Sequence, residues 1–313
     1  MPAPTIVIVN PQARGGWPAR RWPLIEPELR AALGPLTLRA TARTGDGTQL
    51  AKAAALAGAG LVIALGGDGT ASEVAAGLLQ AQEQQPSGEP TCSFGYLPCA
   101  TGGDLRRSLD LPEELGAAAR AIAAAPGRLL DAGQLELTGH DGRPQRRYFL
   151  NIASAGVSGL VDLFANQSSK RLGGKATFLL ASAKAALRYR NPRVRVRLDD
   201  RPWEEVRLYA LVVANGGYFG GGMHIAPGAR LDDGLFEVVT LGDLSLPEAV
   251  QLGYHLYQGS HLKLPKVTAA RARTVRVELC EPGDKVLLDV DGETPGRLPA
   301  QWTVLPKALH FRG

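Results

Sequence analysis

Residues 61–78, LVIALGGDGTASEVAAGL, pass from an apolar run through two glycines, an aspartate, a glycine and a threonine into an alanine-rich segment. Glycines between a strand and a helix let backbone approach a ligand, and a helix start offers unpaired N–H donors and the positive end of a dipole. Those features suit phosphate, which makes Asp68 the odd residue. A carboxylate belongs in an anion site only with a divalent cation between it and the phosphate oxygens. The GxxxxGK[ST] spacing of a P-loop is missing. A reading without ligand also exists, since Thr70 and Glu73 have the T-x-x-E spacing of a capping box. Two further turns share this composition. NPQARGG (10–16) reads as an Asn-Pro turn or a phosphate loop, and in PCATGGDLRRSL (98–109) Thr101 and Asp104 resemble a helix cap. ANGGYFGGGMHIAPGARLDDGLFEVV (214–239) is either a glycine-rich hairpin with a DDG turn or a place where backbone meets substrate. LLDVDGETPG (287–296) holds Asp289, Asp291 and Glu293. Alternating acids on one strand project to the same side and could meet one site, while the Asp-Gly pair suits a hairpin turn.

These turns need elements to position them. Strands are expected at 4–9, 36–42, 61–65 and 92–98, and helices at 21–33, 45–58, 70–82, 102–109 and 112–125. Alternation at this spacing implies a parallel sheet covered on both faces, where ligands collect at the carboxyl ends of strands. The three Gly/Thr/Asp turns then share one sheet edge and outline a crevice. From about residue 131 the texture changes. GQLELTG, HDGR and RRYFLNIASAG read as a hairpin, and one helix (about 173–190) precedes strand-like segments at 193–199, 204–215, 235–240, 273–279 and 285–290. The closing WTVLPKALHFR reads as strand, turn and strand. The expected architecture is α/β plus all-β: a doubly wound parallel-sheet nucleotide-binding domain over 1–130 with about 299–313, and an antiparallel β-sandwich over 131–298.

At 313 residues and 45 % hydrophobic content the chain can bury a core in each domain. Its net charge of +5 fits an anionic partner, whether nucleotide, nucleic acid or membrane surface, without choosing among them. RYRNPRVRVR (188–197) reads as solvated faces of strand and helix. Cys92, Cys99 and Cys280 show no paired spacing, which points to a reduced, cytoplasmic protein. Five scattered histidines offer no zinc ligand set. The start lacks the pattern of a signal peptide, no window approaches the roughly 20 apolar residues of a membrane-spanning helix, and no repeat is visible.

GGDGT, NPQARGG, the TGGD turn, APGARLDDGLFEVV and DVDGE stand in the order found in the diacylglycerol kinase catalytic-domain superfamily. Over nearly its whole length the chain resembles that family's bacterial soluble lipid kinases, relatives of sphingosine and ceramide kinases. GGDGT alone is shared with NAD kinases; the ordered set is far more specific. The resemblance implies an ATP site in a cleft between the domains. Asn10, Pro11, Gln12, Ala13, Arg14, Gly15 and Thr41 would line it. Gly66, Gly67, Asp68, Gly69, Thr70, Ala71 and Ser72 would contact phosphates with Thr101 beside them, and Asp68 and Asp104 would serve the metal–nucleotide network. A structural Mg²⁺ would sit on the Asp233 side chain and the Arg230 and Leu235 carbonyls. Glu293 would accept the proton, with Asp291 as its close partner. One departure stands out: where the family reads G-T-x-N-D, this chain has Ala100, Thr101, Gly102, Gly103 and Asp104. The asparagine is missing, so either the loop is held otherwise or turnover is weak.

The implied reaction is transfer of the γ-phosphate of Mg-ATP to a diacylglycerol-like or sphingoid alcohol, a step of lipid metabolism and phospholipid biosynthesis. The implied partner is a lipid alcohol at a membrane surface and not nucleic acid. Peripheral contact at the inner membrane face is expected, helped by arginines or exposed apolar residues such as Phe219; a homodimer is left open. Two alternatives remain. One is an NAD kinase-like or other small-molecule kinase. The other is a non-catalytic lipid- or nucleotide-binding regulator, favoured by the TGGD departure and opposed by Asp68, Asp291 and Glu293.

Overall fold

The computed structural model describes residues 3–85, 90–99, 102–167 and 174–313. The chain forms two compact units, Met1–Ala132 with Leu305–Gly313, and Gly133–Val304.

The first unit contains β1 (Thr5–Val9), α1 (Ala13–Leu33), β2 (Leu36–Ala40), α2 (Asp46–Leu56), β3 (Leu61–Gly66), α3 (Asp68–Gln82), β4 (Ser93–Pro98), α4 (Asp104–Leu109) and α5 (Leu115–Ala124). Its strands run parallel in the order β2-β1-β3-β4, and His310–Arg312 from the chain's last strand adds parallel to β4. All six residues of β3 are buried, as a central strand covered on both faces requires. On one face Val7, Val9, Ile63 and Leu65 pack against Ile25 and Leu29 of α1 and Ala118 and Ile122 of α5. On the other, α2 and α3 approach so closely that a Cβ on Gly77 would lie 2.3 Å from the Thr48 carbonyl oxygen. Helix α1 starts earlier than the expected residue 21. Arg14, Gly15 and Gly16, all left-handed with φ of 46°, 65° and 84°, make an open turn near its start.

The second unit takes in the rest of β5 (Arg128–Gly139), then β6 (Pro144–Phe149), β7 (Ile152–Gly156), α6 (Val157–Gln167), α7 (Gly174–Arg188), β8 (Arg193–Leu198), β9 (Glu204–Arg207), β10 (Ala210–Ala214), β11 (Tyr218–Phe219) and β12 (Met223–His224). It continues with β13 (Phe236–Leu241), α8 (Leu246–Gln258), a 3₁₀ turn at His261–Lys263, β14 (Val267–Ala272), β15 (Thr274–Leu279), β16 (Leu288–Val290) and β17 (Gly296–Arg312). One antiparallel sheet has the order β14-β13-β10-β7-β16; the other holds β17-β15-β8-β9, with β5 pairing β17 and β6. Strand β10 shows how they stack. Leu211 and Val213 enter a core with Phe149, Phe236, Val275 and Trp302, between the sheets. Ala210, Val212 and Ala214 face the opposite way, into a second core closed by Val157 and Val161 of α6, Ala181 and Ala185 of α7, and Leu252 and Leu256 of α8. The unit is a sandwich with a helical layer on one outer face.

That layer exceeds the single helix expected. Helix α6 follows β7 without a break, so IASAGVSGLVDLF reads as one apolar stretch. Helix α8 did carry a start signal, Ser245 with Glu248, whose carboxylate accepts the Ser245 N–H at 2.8 Å. The closing segment is one strand, with Lys307 at φ 53° marking the expected turn.

Gly77→Ala drives a methyl group into backbone of α2. It should destabilise the chain by about 1–3 kcal/mol, seen as a lowered melting temperature, whereas Gly69→Ala, in open space, should not.

Candidate functional site

At the carboxyl edge of the parallel sheet the pairing continues one step beyond the strands. Thr41 N–H donates to Val9 O at 2.9 Å, Asn10 N–H to Leu65 O at 3.0 Å, and Cys99 N–H to Gly66 O at 2.7 Å. The loops after β1, β2 and β4 and the start of α3 are thereby stitched side by side. Asn10 turns its own loop by accepting the Gln12 N–H at 3.0 Å, and its amide donates to the Thr70 hydroxyl at 3.4 Å. Gly66 is required there, since a Cβ would lie 2.5 Å from Thr70 Oγ1.

The acids of this segment serve neighbouring helices. Asp68 accepts the Asp104 N–H at 2.8 Å, at the first residue of α4, and the Tyr96 hydroxyl at 3.0 Å. Burial first, and the Asp68 charge second, push the Tyr96 phenol well above its ordinary value, so it stays a donor. Glu73 accepts the N–H groups of Gly45 and Gly47, both at 2.8 Å, at the start of α2. The Thr70–Glu73 capping box read from the sequence therefore does not form: Glu73 caps another helix. Helix α3 itself begins at Gly67, which has no side chain to cap with, so the first N–H groups after it lack intrahelical acceptors. A Cβ on Gly69 would meet nothing within 4 Å, so space lies beside those donors.

The TGGD turn is held without its asparagine. Gly103 is the N-cap of α4 in a left-handed conformation (φ 66°) and has no side chain to cap with, so the Asp104 N–H goes to Asp68. Arg107 donates to the Gly102 carbonyl at 2.5 Å and to Asp104 at 3.1 Å. Thr101 and Ala100 lie outside the described residues, and with them the expected Thr101 cap. Pro11 and Gln12 lie on the loop after β1, and Ala13, Arg14 and Gly15 at the start of α1, where Arg20 donates to the Gly15 carbonyl at 2.8 Å. Ala71 and Ser72 belong to the first turn of α3. The structure thus gathers Asn10, Thr41, Gly66–Ser72 and Asp104 at one sheet edge, with donors and room that fit the phosphates of ATP.

In the second unit the DVDGE segment corrects an expectation. Strand β16 ends at Val290, and Asp291 and Gly292 (φ 48° and 87°) form a two-residue turn, with Val290 N–H donating to Glu293 O at 2.8 Å. The chain reverses, so the three acids do not line one side of a strand. Asp291 accepts backbone N–H groups of Ile152 at 3.0 Å and Leu150 at 3.3 Å, while Glu293 is exposed across the turn. Asp289 is buried, accepting the Gly292 N–H at 2.9 Å and the Ser154 hydroxyl at 3.1 Å. Its neighbour is Asp162 of α6, which sequence reasoning missed; an acid within the apolar SGLVDLF was the available signal. Burial first and the Asp162 charge second raise Asp289 well above the usual carboxylate range, and burial raises Asp162. Asn151 and Asn215 secure the adjoining corner, donating to Tyr218 O at 2.8 Å and Leu150 O at 2.7 Å.

The other motifs take plainer forms. Gly220, Gly221 and Gly222, all with positive φ, make the glycine-rich hairpin between β11 and β12. Phe219, expected to be exposed, packs against the helix-layer core. Asp233 accepts the Leu235 N–H at 3.1 Å and pairs with Arg271, while the Arg230 guanidinium faces Asp232 at 3.5 Å. Arg271 is thus the charged partner of Asp233 at the place where the resemblance implied a Mg²⁺. Among the described residues no three His, Cys, Asp or Glu side chains cluster as a metal site.

With this geometry in view, the comparisons are consistent. Residues 4–135 match the diacylglycerol kinase catalytic domain, and residues 151–312 match the YegS C-terminal NAD kinase beta sandwich-like domain. The two halves together define an enzyme of the kinase class. The chain belongs to the YegS-like lipid kinase family, whose members join a diacylglycerol kinase catalytic domain to a YegS C-terminal domain. It is 37 % identical over 235 residues to a protein of Chromohalobacter salexigens named "Probable lipid kinase YegS-like", covering 72 % of this chain and 70 % of that one. It is 29 % identical over 273 residues to a diacylglycerol kinase of Bacillus subtilis, covering 87 % and 83 %. The crystal structure of a diacylglycerol kinase from Bacillus anthracis superposes with a TM-score of 0.70 over 99 % of this chain and 96 % of that one, at 21 % identity.

The raised Asp162–Asp289 pair sets a pH dependence. The folded pair binds more protons than two unfolded aspartates, so its contribution is full at acid pH and is lost as pH rises through the raised folded values. Thermal melts between about pH 5 and about pH 8 should show stability falling with pH, and Asp289→Asn should flatten that slope.

Proposed function

We propose that the chain is an ATP-dependent lipid kinase that moves the γ-phosphate of Mg-ATP onto the hydroxyl of a diacylglycerol-like or sphingoid lipid. The observation that carries the donor half is the uncapped start of α3. Asp68 and Glu73 are spent on neighbouring helices, which leaves free N–H groups at Asp68, Gly69 and Thr70 for an anion. Asn10 and Thr41 border that position. Family membership and the names of its relatives support the lipid acceptor.

Phosphoryl transfer asks the protein chiefly for alignment and neutralisation of charge. In a loose transition state the acceptor proton leaves late, so a carboxylate placed on the hydroxyl suffices. Glu293 is exposed and suited to take that proton. Asp291, with both oxygens on backbone N–H groups, holds the turn that presents Glu293. Asp68 acts on the phosphates through the loops it fixes. Magnesium bound to the nucleotide would neutralise phosphate charge beside Asp68 and Asp104.

Glu293→Gln should lower transfer by about 10²–10⁴-fold while nucleotide affinity stays within about twofold; unchanged turnover removes Glu293 from the chemistry. Labelled ATP offered with diacylglycerol, sphingosine, ceramide, monoacylglycerol and NAD tests the acceptor. Label in a lipid product supports the reading. Label in NAD alone overturns it in favour of the NAD kinase-like alternative, and label in none of them favours a binding regulator.

A further inference from the structure

Helix α8 leaves an apolar stripe uncovered. Leu252 and Leu256 anchor the helix in the core, whereas Leu246 is 45 % exposed, Val250 71 %, Tyr254 68 % and Tyr257 59 %. At ~100° per residue these four fall within an arc of about 80°. Beside it on the same layer, α7 buries Ala181 and Ala185 and exposes Leu180 (59 %) and Leu187 (72 %), seven residues apart and so on one side. Because both helices bury their other sides in one core, both apolar sides belong to the outer surface of the layer. Contiguous exposed apolar surface of this kind marks an interaction site.

The charges beside the stripe choose the occupant. Lys184, Arg188, Arg190 and Lys263 are exposed and have no carboxylate partner among the described residues. Helix α7 has no acidic residue, and Glu248, the one acid of α8, is paired with Lys266 at 2.8 Å. A second copy meeting this face through a two-fold axis would set these cations against each other. An anionic bilayer offers the complementary charge, an apolar interior for Leu and Val, and an interfacial zone that tyrosine rings favour.

We propose that the outer face of α7 and α8 is a membrane-docking surface that seats the second unit on an anionic lipid bilayer. The proposal rests on the lipid kinase reading, and its test separates the two. The purified full chain is floated with phosphatidylcholine vesicles, with and without roughly one-third phosphatidylglycerol. The wild type should float with the anionic vesicles and much less with the neutral ones. Val250→Glu with Tyr254→Glu, both at exposed positions, should lower partitioning about a hundredfold, near tenfold for each side chain, with an unchanged melting temperature. Arg190→Glu with Lys263→Glu should weaken flotation with the anionic vesicles alone. Wild type that fails to float overturns the proposal, as does an equal response of variant and wild type. A change of oligomeric state without change in flotation assigns the stripe to a second copy and overturns it too. Phosphorylation of dispersed short-chain diacylglycerol, assayed in parallel, should be the same in all variants. Its absence from the wild type overturns the kinase reading, while flotation still decides the surface.

Discussion

A helix that begins at the edge of a sheet exposes N–H groups that must find acceptors, from side chains, from water or from a ligand. Helices α1 to α4 all start at the carboxyl edge of the first unit's sheet, and among α2, α3 and α4 the acceptors are unequally shared. Helix α4 takes Asp68 and α2 takes Glu73, both from the first turns of α3. Helix α3, which supplies both acids, starts at a glycine and keeps none. A carboxylate within GGDGT is thus consistent with anion binding. Its charge is directed onto a neighbouring helix start, where the dipole favours it, and the donors of its own helix remain open.

The same arrangement joins the elements at this sheet edge into one hydrogen-bonded unit. Asp68 joins α3 to β4 through Tyr96 and to α4 through Asp104, and Glu73 joins α3 to the loop after β2. Arg107 of α4 holds the Gly102 carbonyl just before that helix. In the second unit a comparable role falls to buried carboxyls. Burial first and the Asp162 charge second raise the Asp289 carboxyl above its ordinary range, and Asp289 accepts the Gly292 N–H. The Asp291-Gly292 turn is therefore held by Asp289 through the Gly292 N–H and by Asp291 through the Leu150 and Ile152 N–H groups.

Much of this could be read from residue order. Strand–helix alternation and the glycine turns were sufficient to place the first unit's elements, because parallel strands and their helices have periods that sequence displays directly. Asp291-Gly292 was legible as a turn, although the idea of three acids on one strand face competed with it and fails because the chain reverses at that pair. Side-chain partners were not legible. T-x-x-E spacing cannot say whether Glu73 folds back on its own helix or reaches the next one, a matter of packing between residues 28 positions apart. Asp162 gave only an acid in an apolar run, and α6 was hidden because an apolar helix after an apolar strand has no punctuation. Arg271, which answers Asp233, is 38 positions away and belongs to no motif.

The central claim is that the open N–H groups at the start of α3 receive the phosphates of the nucleotide. Backbone amide resonances of the labelled chain, followed during titration with ADP, test it most directly. The account predicts that the amides of Asp68, Gly69 and Thr70 shift most, together with those of the adjoining Asn10 loop. Saturable ADP binding that leaves these amides unmoved would contradict it.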